Sequence, residues 1–408
     1  MRDEMKKVPR LRFRGFQEDW ELCKLGTLAE IVRGASPRPI QDSKWFDNTS
    51  DVGWLRISDV TEQNGRIYKL EQKLSKAGQE KTRVLRKPHL LLSIAATVGK
   101  PVVNYVNTGV HDGFLIFLNP LFDREFMFQW LEMFTPKWQK YGQPGSQLNL
   151  NSELVRNQEL RMPSTNEQEK IGMLFQYLDD TITLHQRKLD QLKELKKAYL
   201  QTMFVSMNTK NNKVPKLRFT DFEGDWQLCK LSTEFEKVNE RNDGSLGKEH
   251  WISVAKMYFQ NPDKVQSNNI DTRTYVMRTG DIAFEGHPNK EFKFGRFVAN
   301  DIGTGVVSEL FPIYRHKQEY DNYYWKNAIQ IERVMGPIFA KSITSSGNSS
   351  NKLDPNHFLR QQVLIPKLEE QKKIGLFLKK IDDIINLHQN KLTQLKSLKK
   401  SYLQNMFI

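Results

Sequence analysis

Cysteine is nearly absent: Cys23 and Cys229 are the two in 408 residues. That count excludes a disulfide framework and points to a reducing, cytoplasmic setting. No run of eighteen apolar residues occurs, so no membrane span is expected. Met1–Pro9 carries Lys6 and Lys7 with no apolar stretch behind them, so a signal peptide is not expected either.

Catalytic motifs are also missing. Val98-Gly99-Lys100-Pro101 lacks the glycine loop and the hydroxyl of a nucleotide-binding P-loop, and Gly303-x-Gly305 lacks the third glycine of a dinucleotide fingerprint. The Asn-Pro-Pro-aromatic motif of amino-methyltransferases fails one residue after Asn119-Pro120 and Asn261-Pro262. The histidines are scattered, and no Cys/His group has zinc spacing. One loose nuclease pattern exists, Pro262-Asp263 followed by Glu291-Phe292-Lys293, in which two carboxylates would hold Mg²⁺ and the lysine would assist water. It has no counterpart elsewhere in the chain, and with 27% charged residues such matches arise by chance. A nuclease using Asp263, Glu291 and Lys293 is therefore the alternative reading, together with a bare coiled-coil scaffold. No catalytic, cofactor-binding or metal site is assigned.

What is present is positive charge and repetition. The net charge is +14, distributed as +5 over residues 1–160, +1 over 161–207, +3 over 208–365 and +5 over 366–408. A basic excess without a basic tail favours folded surfaces facing a phosphate backbone over a flexible polybasic arm. Val8–Gly26 recurs as Val214–Ser232 with 12 of 19 positions identical. Pro163–Phe204 recurs without a gap as Pro366–Phe407, with 25 of 42 identical. The chain is thus one unit built twice. Four segments follow: 1–162, a first domain with its lead-in; 163–207, a central helix; 208–365, a second domain with its lead-in; and 366–408, a C-terminal helix.

Between these matching frames the two middles share almost no residues but keep one outline. Short β-like runs come early, at Trp54–Val60 and Leu90–Val98 in the first middle and at Trp251–Ala255 and Asp281–Phe284 in the second. Aromatic helical stretches follow (Asp123–Tyr141; Glu319–Ser342), then small polar loops (Gly142–Asn149; Ser345–Lys352). The fold class expected is α+β, two mixed α/β domains on one scaffold with different specificities.

Asn166–Phe204 is free of proline and rich in helix formers, with Ser164 and Glu167 spaced as a capping box. Leu178, Ile182, His185, Leu189, Leu192, Lys196, Tyr199 and Met203 alternate at four and three, a heptad seam that Ile381, Ile385, His388, Leu392, Leu395, Lys399, Tyr402 and Met406 repeat. Upstream the pattern changes phase near Leu174, leaving four regular heptads. The economical way to cover both stripes is for the two helices to pair with each other, as an antiparallel coiled coil with pseudo-twofold symmetry. A helix of that length spans roughly 58 Å, more than one ~34 Å turn of B-DNA, so the pair would serve as a ruler. His185 and His388 read as seam residues that fix register; a metal between them is the weaker reading.

The doubled EQ-x-KIG (Glu167–Gly172; Glu370–Gly375) and LHQ-x-KL-x-QLK-x-LKK-x-YLQ-x-MF (Leu184–Phe204; Leu387–Phe407) resemble the helices of type I restriction–modification specificity (S) subunits. The lead-ins with Arg12-Phe13 and Trp20, and with Arg218-Phe219 and Trp226, look like that family too, as do Trp54–Val60 and Ala96–Lys100; Asp281–Phe284 is a fainter echo. The resemblance implies a non-catalytic subunit whose two target recognition domains read the halves of a split, asymmetric site in double-stranded DNA. The helix pair would set the spacer and dock two methyltransferase subunits, and two restriction subunits would join. S-adenosylmethionine, Mg²⁺ and ATP would belong to those partners.

DNA contacts are expected from basic and amide residues in loops of the middles, where Lys and Arg meet phosphates and Arg, Asn and Gln read base edges. In the first middle these are Arg33, Arg38, Lys100, Gln143, Ser146, Gln147 and Asn149. In the second they are Arg241, Asn242, Lys248, His287, Asn289, Lys290, Ser346, Asn348 and Asn351.

Overall fold

The computed structural model describes residues 7–141, 150–205, 213–265, 273–346 and 350–408. It divides into two compact units, Met1–Gln186 with Asn390–Ile408, and Arg187–Gln389.

The first unit runs β1 (Glu21–Lys24), α1 (Leu25–Leu28), β2 (Glu30–Arg33), β3 (Gly53–Trp54), α2 (Ile57–Glu62), β4 (Arg66–Ile67), α3 (Lys76–Glu80), β5 (Arg83–Leu85), β6 (Leu90–Ser93), β7 (Pro101–Asn104), β8 (Thr108–Val110) and β9 (Phe114–Leu118). Then come α4 (Arg124–Trp138), α5 (Ser152–Asn157), β10 (Glu159–Met162) and the long α6 (Thr165–Thr202). Its main sheet has the order β2-β9-β6-β7-β4, beside a three-stranded sheet β3-β8-β5.

The second unit contains β11 (Gln227–Lys230), α7 (Leu231–Glu234), β12 (Phe235–Val238), β13 (Ile252–Ser253), β14 (Tyr258–Phe259), β15 (Thr274–Met277), β16 (Ile282–Glu285), β17 (Arg296–Ala299), β18 (Gly305–Ser308) and β19 (Ile313–His316). It continues with α8 (Asn322–Ala328), α9 (Glu332–Ala340), β20 (Ile343–Ser346), β21 (Asn351–Leu353), α10 (Pro355–Arg360), β22 (Gln362–Ile365) and α11 (Leu368–Asn405). The main sheet here is β12-β19-β16-β17, the same order as in the first unit without the edge strand. The small sheets also correspond: β3 lies parallel to β8, Trp251 bridges in parallel to Val306 of β18, and β5 and β15 pair antiparallel to β8 and β18. Two middles with almost no residues in common therefore share a topology.

Several local expectations change. Within Trp54–Val60 only Trp54 is in a strand; the rest turns into α2 because the Asp59 carboxylate accepts from the Arg56 backbone N–H at 2.8 Å and from its guanidinium at 2.9 Å, which starts a helix. The Leu90–Val98 run ends at Ser93 and the Trp251–Ala255 run shrinks to Ile252–Ser253. Glu319–Ser342 is two helices, and Ser345–Lys352 belongs in part to the antiparallel β20–β21 hairpin. Gly142–Asn149 lies outside the described residues.

The helices pair antiparallel within each unit. In the first unit Phe407, at the end of α11, packs on Phe175 near the start of α6 at 5.7 Å and on Phe126 of α4 at 5.3 Å. In the second, Phe204 just after α6 packs on Tyr324 of α8 at 5.4 Å, and Tyr199 meets Phe377 of α11 at 4.9 Å. Each core thus takes in the end of the other repeat's helix: Met406 and Phe407 in one, Met203 and Phe204 in the other. Trp20 and Trp226 of the lead-ins close the matching trios, edge-on to Phe126 and Tyr324. Each such buried aromatic contributes roughly 1.5–3 kcal/mol. The seam residues are the buried and half-buried face of both helices, and the four-and-three spacing continues upstream through Phe175 and Ile171, and through Leu378 and Ile374. The phase change expected near Leu174 does not occur.

The EQ-x-KIG motif anchors each helix start. Glu167, wholly buried, takes a two-pronged ion pair from Arg12 (2.7 and 2.8 Å), and Glu370 takes the same from Arg218 (2.8 and 2.7 Å). The Glu167 carboxylate is thereby engaged by the lead-in, not by a capping box. Gln168 donates to the Pro163 carbonyl at 2.9 Å and accepts from the Asp123 backbone N–H at 2.9 Å. Gly172 lets the N-terminus of α4 approach, since a Cβ there would lie 2.6 Å from Asp123 Oδ1; Gly375 stands likewise against Asp321.

Candidate nucleic-acid interface

Strand register decides where the loops gather. In the first unit Arg33 ends β2 opposite Leu115, Ser93 ends β6 opposite Phe114, and Leu92 pairs with Pro101 at the start of β7. The loop after β2, the β6–β7 turn and the β8–β9 turn therefore sit at one end of the main sheet. In the second unit Val238 pairs with Ile313 and Glu285 with Arg296, so the loop after β12, the β16–β17 turn and the β18–β19 turn share the corresponding end. The β20–β21 hairpin joins them there, the Asn351 N–H donating to the Gly286 carbonyl at 2.8 Å.

This geometry brings together Arg33, Arg38 and Lys100 in one unit. In the other it brings together Arg241, His287, Asn289, Lys290, Ser346 and Asn351. Arg33 Nε donates to the Asp112 carbonyl at 2.6 Å, Ser36 Oγ to Asp112 Oδ1 at 2.6 Å, and Arg38 to Asp112 Oδ2 at 2.9 Å. The Ser36 hydroxyl foremost, and the charge of Arg38 after it, hold the Asp112 carboxyl below its ordinary value. Beside it, burial pushes the His111 imidazole down. The β6–β7 turn contains Ala96 in the left-handed region (φ 59°), where a side chain is disfavoured, so the turn is held by its surroundings.

In the second unit Arg241 donates to Glu309 at 2.8 Å and lies over the Tyr275 ring at 4.7 Å. His287 Nδ1 is 2.6 Å from Glu285, whose other oxygen faces Arg296 at 3.8 Å. Asn289 Oδ1 accepts from the Glu291 and Phe292 N–H groups, shaping the turn that displays the exposed Lys290. Lys248 is exposed in a helical turn ahead of β13. Asn242 is turned inward: it is buried, donates to the Leu246 carbonyl and organises its loop. Gln143, Ser146, Gln147, Asn149 and Asn348 lie outside the described residues. Asp112, Ser36 and Glu309 were not singled out from sequence. The His111-Asp112-Gly113 turn is a local sign of the first, but the pairing spans 74 residues and has no sequence signature.

Nothing favours the nuclease pattern. Asp263 lies in the helical turn Pro262–Lys264, while Glu291 and Lys293 belong to the β16–β17 turn. Among the described residues no helix is long and apolar enough to cross a membrane.

A family model described as type I restriction modification DNA specificity domain matches residues 17–194 and 304–397. The chain belongs to this family. Among its relatives, the type I restriction enzyme MjaVIII specificity subunit of Methanocaldococcus jannaschii is 19% identical over 95% of this chain and 91% of its own length. The putative MjaX specificity subunit of the same organism is 22% identical over 63% of this chain, and the match spans 60% of that protein. The crystal structure of a type I restriction–modification S subunit from M. genitalium shares the fold, with a TM-score of 0.64, 12% identity, and coverage of 98% of this chain and 99% of the other. In this specificity-family chain the two middles share one sheet order and differ in the residues of their loops.

Proposed function

We propose that the chain is the DNA sequence-specific, non-catalytic subunit of a cytoplasmic type I restriction–modification complex, each unit reading one half of a split, asymmetric site in double-stranded DNA. The observation that carries this reading is the paired sheet ends: equivalent loops meet there in both units, with different residues. Arg33, Arg38, Lys100 and the Gly142–Asn149 segment serve one half-site. Arg241, Lys248, His287, Asn289, Lys290, Ser346, Asn348 and Asn351 serve the other.

The helix pair sets the spacer and docks two methyltransferase subunits, with two restriction subunits joining them. Support for docking comes from exposed apolar residues repeated on both helices: Met173 and Leu184 on α6 match Leu376 and Leu387 on α11. An eleven-residue spacing is close to three helical turns, so each set lines one face. S-adenosylmethionine, Mg²⁺ and ATP are held by the partner subunits.

The test is to exchange one middle, residues 27–162, for that of another specificity chain and map methylated bases in cells carrying the complex. One half of the recognised sequence changes and the other stays. If both halves change together, the modular reading fails.

A further inference from the structure

The two middles share almost no residues, yet both place a carboxylate in the turn before the second strand of the main sheet and an arginine in the loop after its first strand. Asp112 meets Arg38 at 2.9 Å, and Glu309 meets Arg241 at 2.8 Å. We propose that Arg38 and Arg241 are guanine-reading arginines, one per half-site, and that Asp112 and Glu309 are the positioning residues that aim them. The proposal rests on the DNA-reading function above.

Three observations support it. Both arginines remain exposed while paired, at 79% and 51% of the side chain, so the clamp orients them without hiding them. Both are braced beyond the ion pair: Asp112 is itself fixed by Ser36 and bonded by Arg33, and Arg241 lies on Tyr275. Arg38 gives one bond to its carboxylate, which leaves other donors among the five N–H groups of its guanidinium.

The carboxylate also decides what such an arginine can meet. A phosphate approaching Arg38 would come up against Asp112 as a second anion and be repelled. The N7 and O6 acceptors of guanine carry no net charge and match the planar fork. Lys100 and Lys290, in the neighbouring turns, have no carboxylate partner among the described residues and suit phosphates.

The experiment uses the full chain assembled with its methyltransferase subunits. The probes are duplexes bearing the site mapped by methylated bases and its single-base-pair variants, measured across a salt series. Arg38→Ala is expected to erase a preference of about five- to a hundredfold at one G·C pair of one half-site, leaving the salt slope unchanged. Arg38→Lys, which keeps the charge, is expected to behave like Arg38→Ala, and Asp112→Asn to weaken preference at that same pair. Arg241→Ala and Glu309→Gln do the same in the other half-site, while Lys100→Ala lowers affinity for all sequences and reduces the slope by about one. If Arg38→Ala weakens every duplex equally and lowers the slope, or if Arg38→Lys retains discrimination, Arg38 is a phosphate contact and the inference is overturned. A wild-type complex with no sequence preference overturns the DNA-reading function itself.

Discussion

Lys399 Nζ lies 2.6 Å from Asp179 Oδ1, and the equivalent pair of the other repeat, Lys196 and Asp382, closes to 2.7 Å. Both lysines occupy seam positions, where a polar residue costs stability but fixes register and orientation. The first pair is the more buried and sits in a larger network: Lys399 also meets Glu132 at 2.7 Å, and Asp179 accepts from Gln129 at 2.8 Å and faces Arg66 at 3.3 Å. Asp179→Ala is therefore expected to cost about 2 kcal/mol and Asp382→Ala about 1 kcal/mol in denaturant unfolding. The exchange Lys196→Asp with Asp382→Lys, at the pair that stands outside this network, should recover part of the loss of either single change. No recovery in the double variant would mean that the pair does not couple the helices.

The lead-in arginines make a sharper case. Glu167 is wholly buried and Arg12 supplies two parallel bonds, a geometry that an ammonium cannot reproduce. Arg12→Lys is expected to lose about 1–2 kcal/mol and Arg12→Ala about 3–5 kcal/mol, the latter because a buried carboxylate is left without its partner. Arg218 and Glu370 should follow the same order. Chemical denaturation of the four variants checks it, and equal losses for Lys and Ala would refute the bidentate role.

Gly172 and Gly375 are helical, so adding a methyl group there has two opposing effects. Alanine gains up to about 1 kcal/mol in helix propensity, but the new Cβ collides with the Asp123 or Asp321 end of the packed helix at about 1–3 kcal/mol. The net expectation for Gly172→Ala is a loss of about 1–2 kcal/mol, read as a lowered denaturant midpoint. A stabilised variant would show that the helix N-terminus can retreat freely.

Much of this frame was legible in the sequence because duplication exposed it. The heptad stripe, the lead-ins and EQ-x-KIG recur at fixed offsets, and the family resemblance rests on them. The sheets were harder to see. Leu90–Ser93 and Pro101–Asn104 are buried along their whole length and show no alternation, and several other strands are two or three residues long. The carboxylate clamps could not be seen at all, since Asp112 and Glu309 meet their arginines only once the sheet has folded. Asn242 illustrates the converse: an amide beside a basic residue looks like a base reader, yet its bonds go inward.

The exposed leucines on the helices predict a separation of stability from assembly. Leu184 and Leu387 contribute little to either core, so Leu184→Lys and Leu387→Lys should change unfolding free energy by less than about 0.5 kcal/mol. Binding to purified methyltransferase subunit should nevertheless weaken about tenfold or more, as expected where an apolar anchor is lost. Titration calorimetry distinguishes the outcomes, and unchanged affinity in both variants would move the docking surface off this face.

Asp123 and Asp321 cap their helices through the Phe126 and Tyr324 N–H groups at 2.8 and 2.7 Å, yet burial raises both carboxyls above the ordinary value of 3.8. A raised carboxyl binds more protons folded than unfolded, so its contribution is fully present below pH 3.8 and is lost as pH rises through the folded value. Asparagine caps a helix about as well and carries no charge to desolvate. Asp123→Asn is therefore expected to match or exceed the wild-type melting temperature at pH 7, with the difference shrinking as pH falls toward about 4. Melting curves between those limits test the sign. An advantage that grows toward acid would mean that the cap, and not desolvation, governs Asp123.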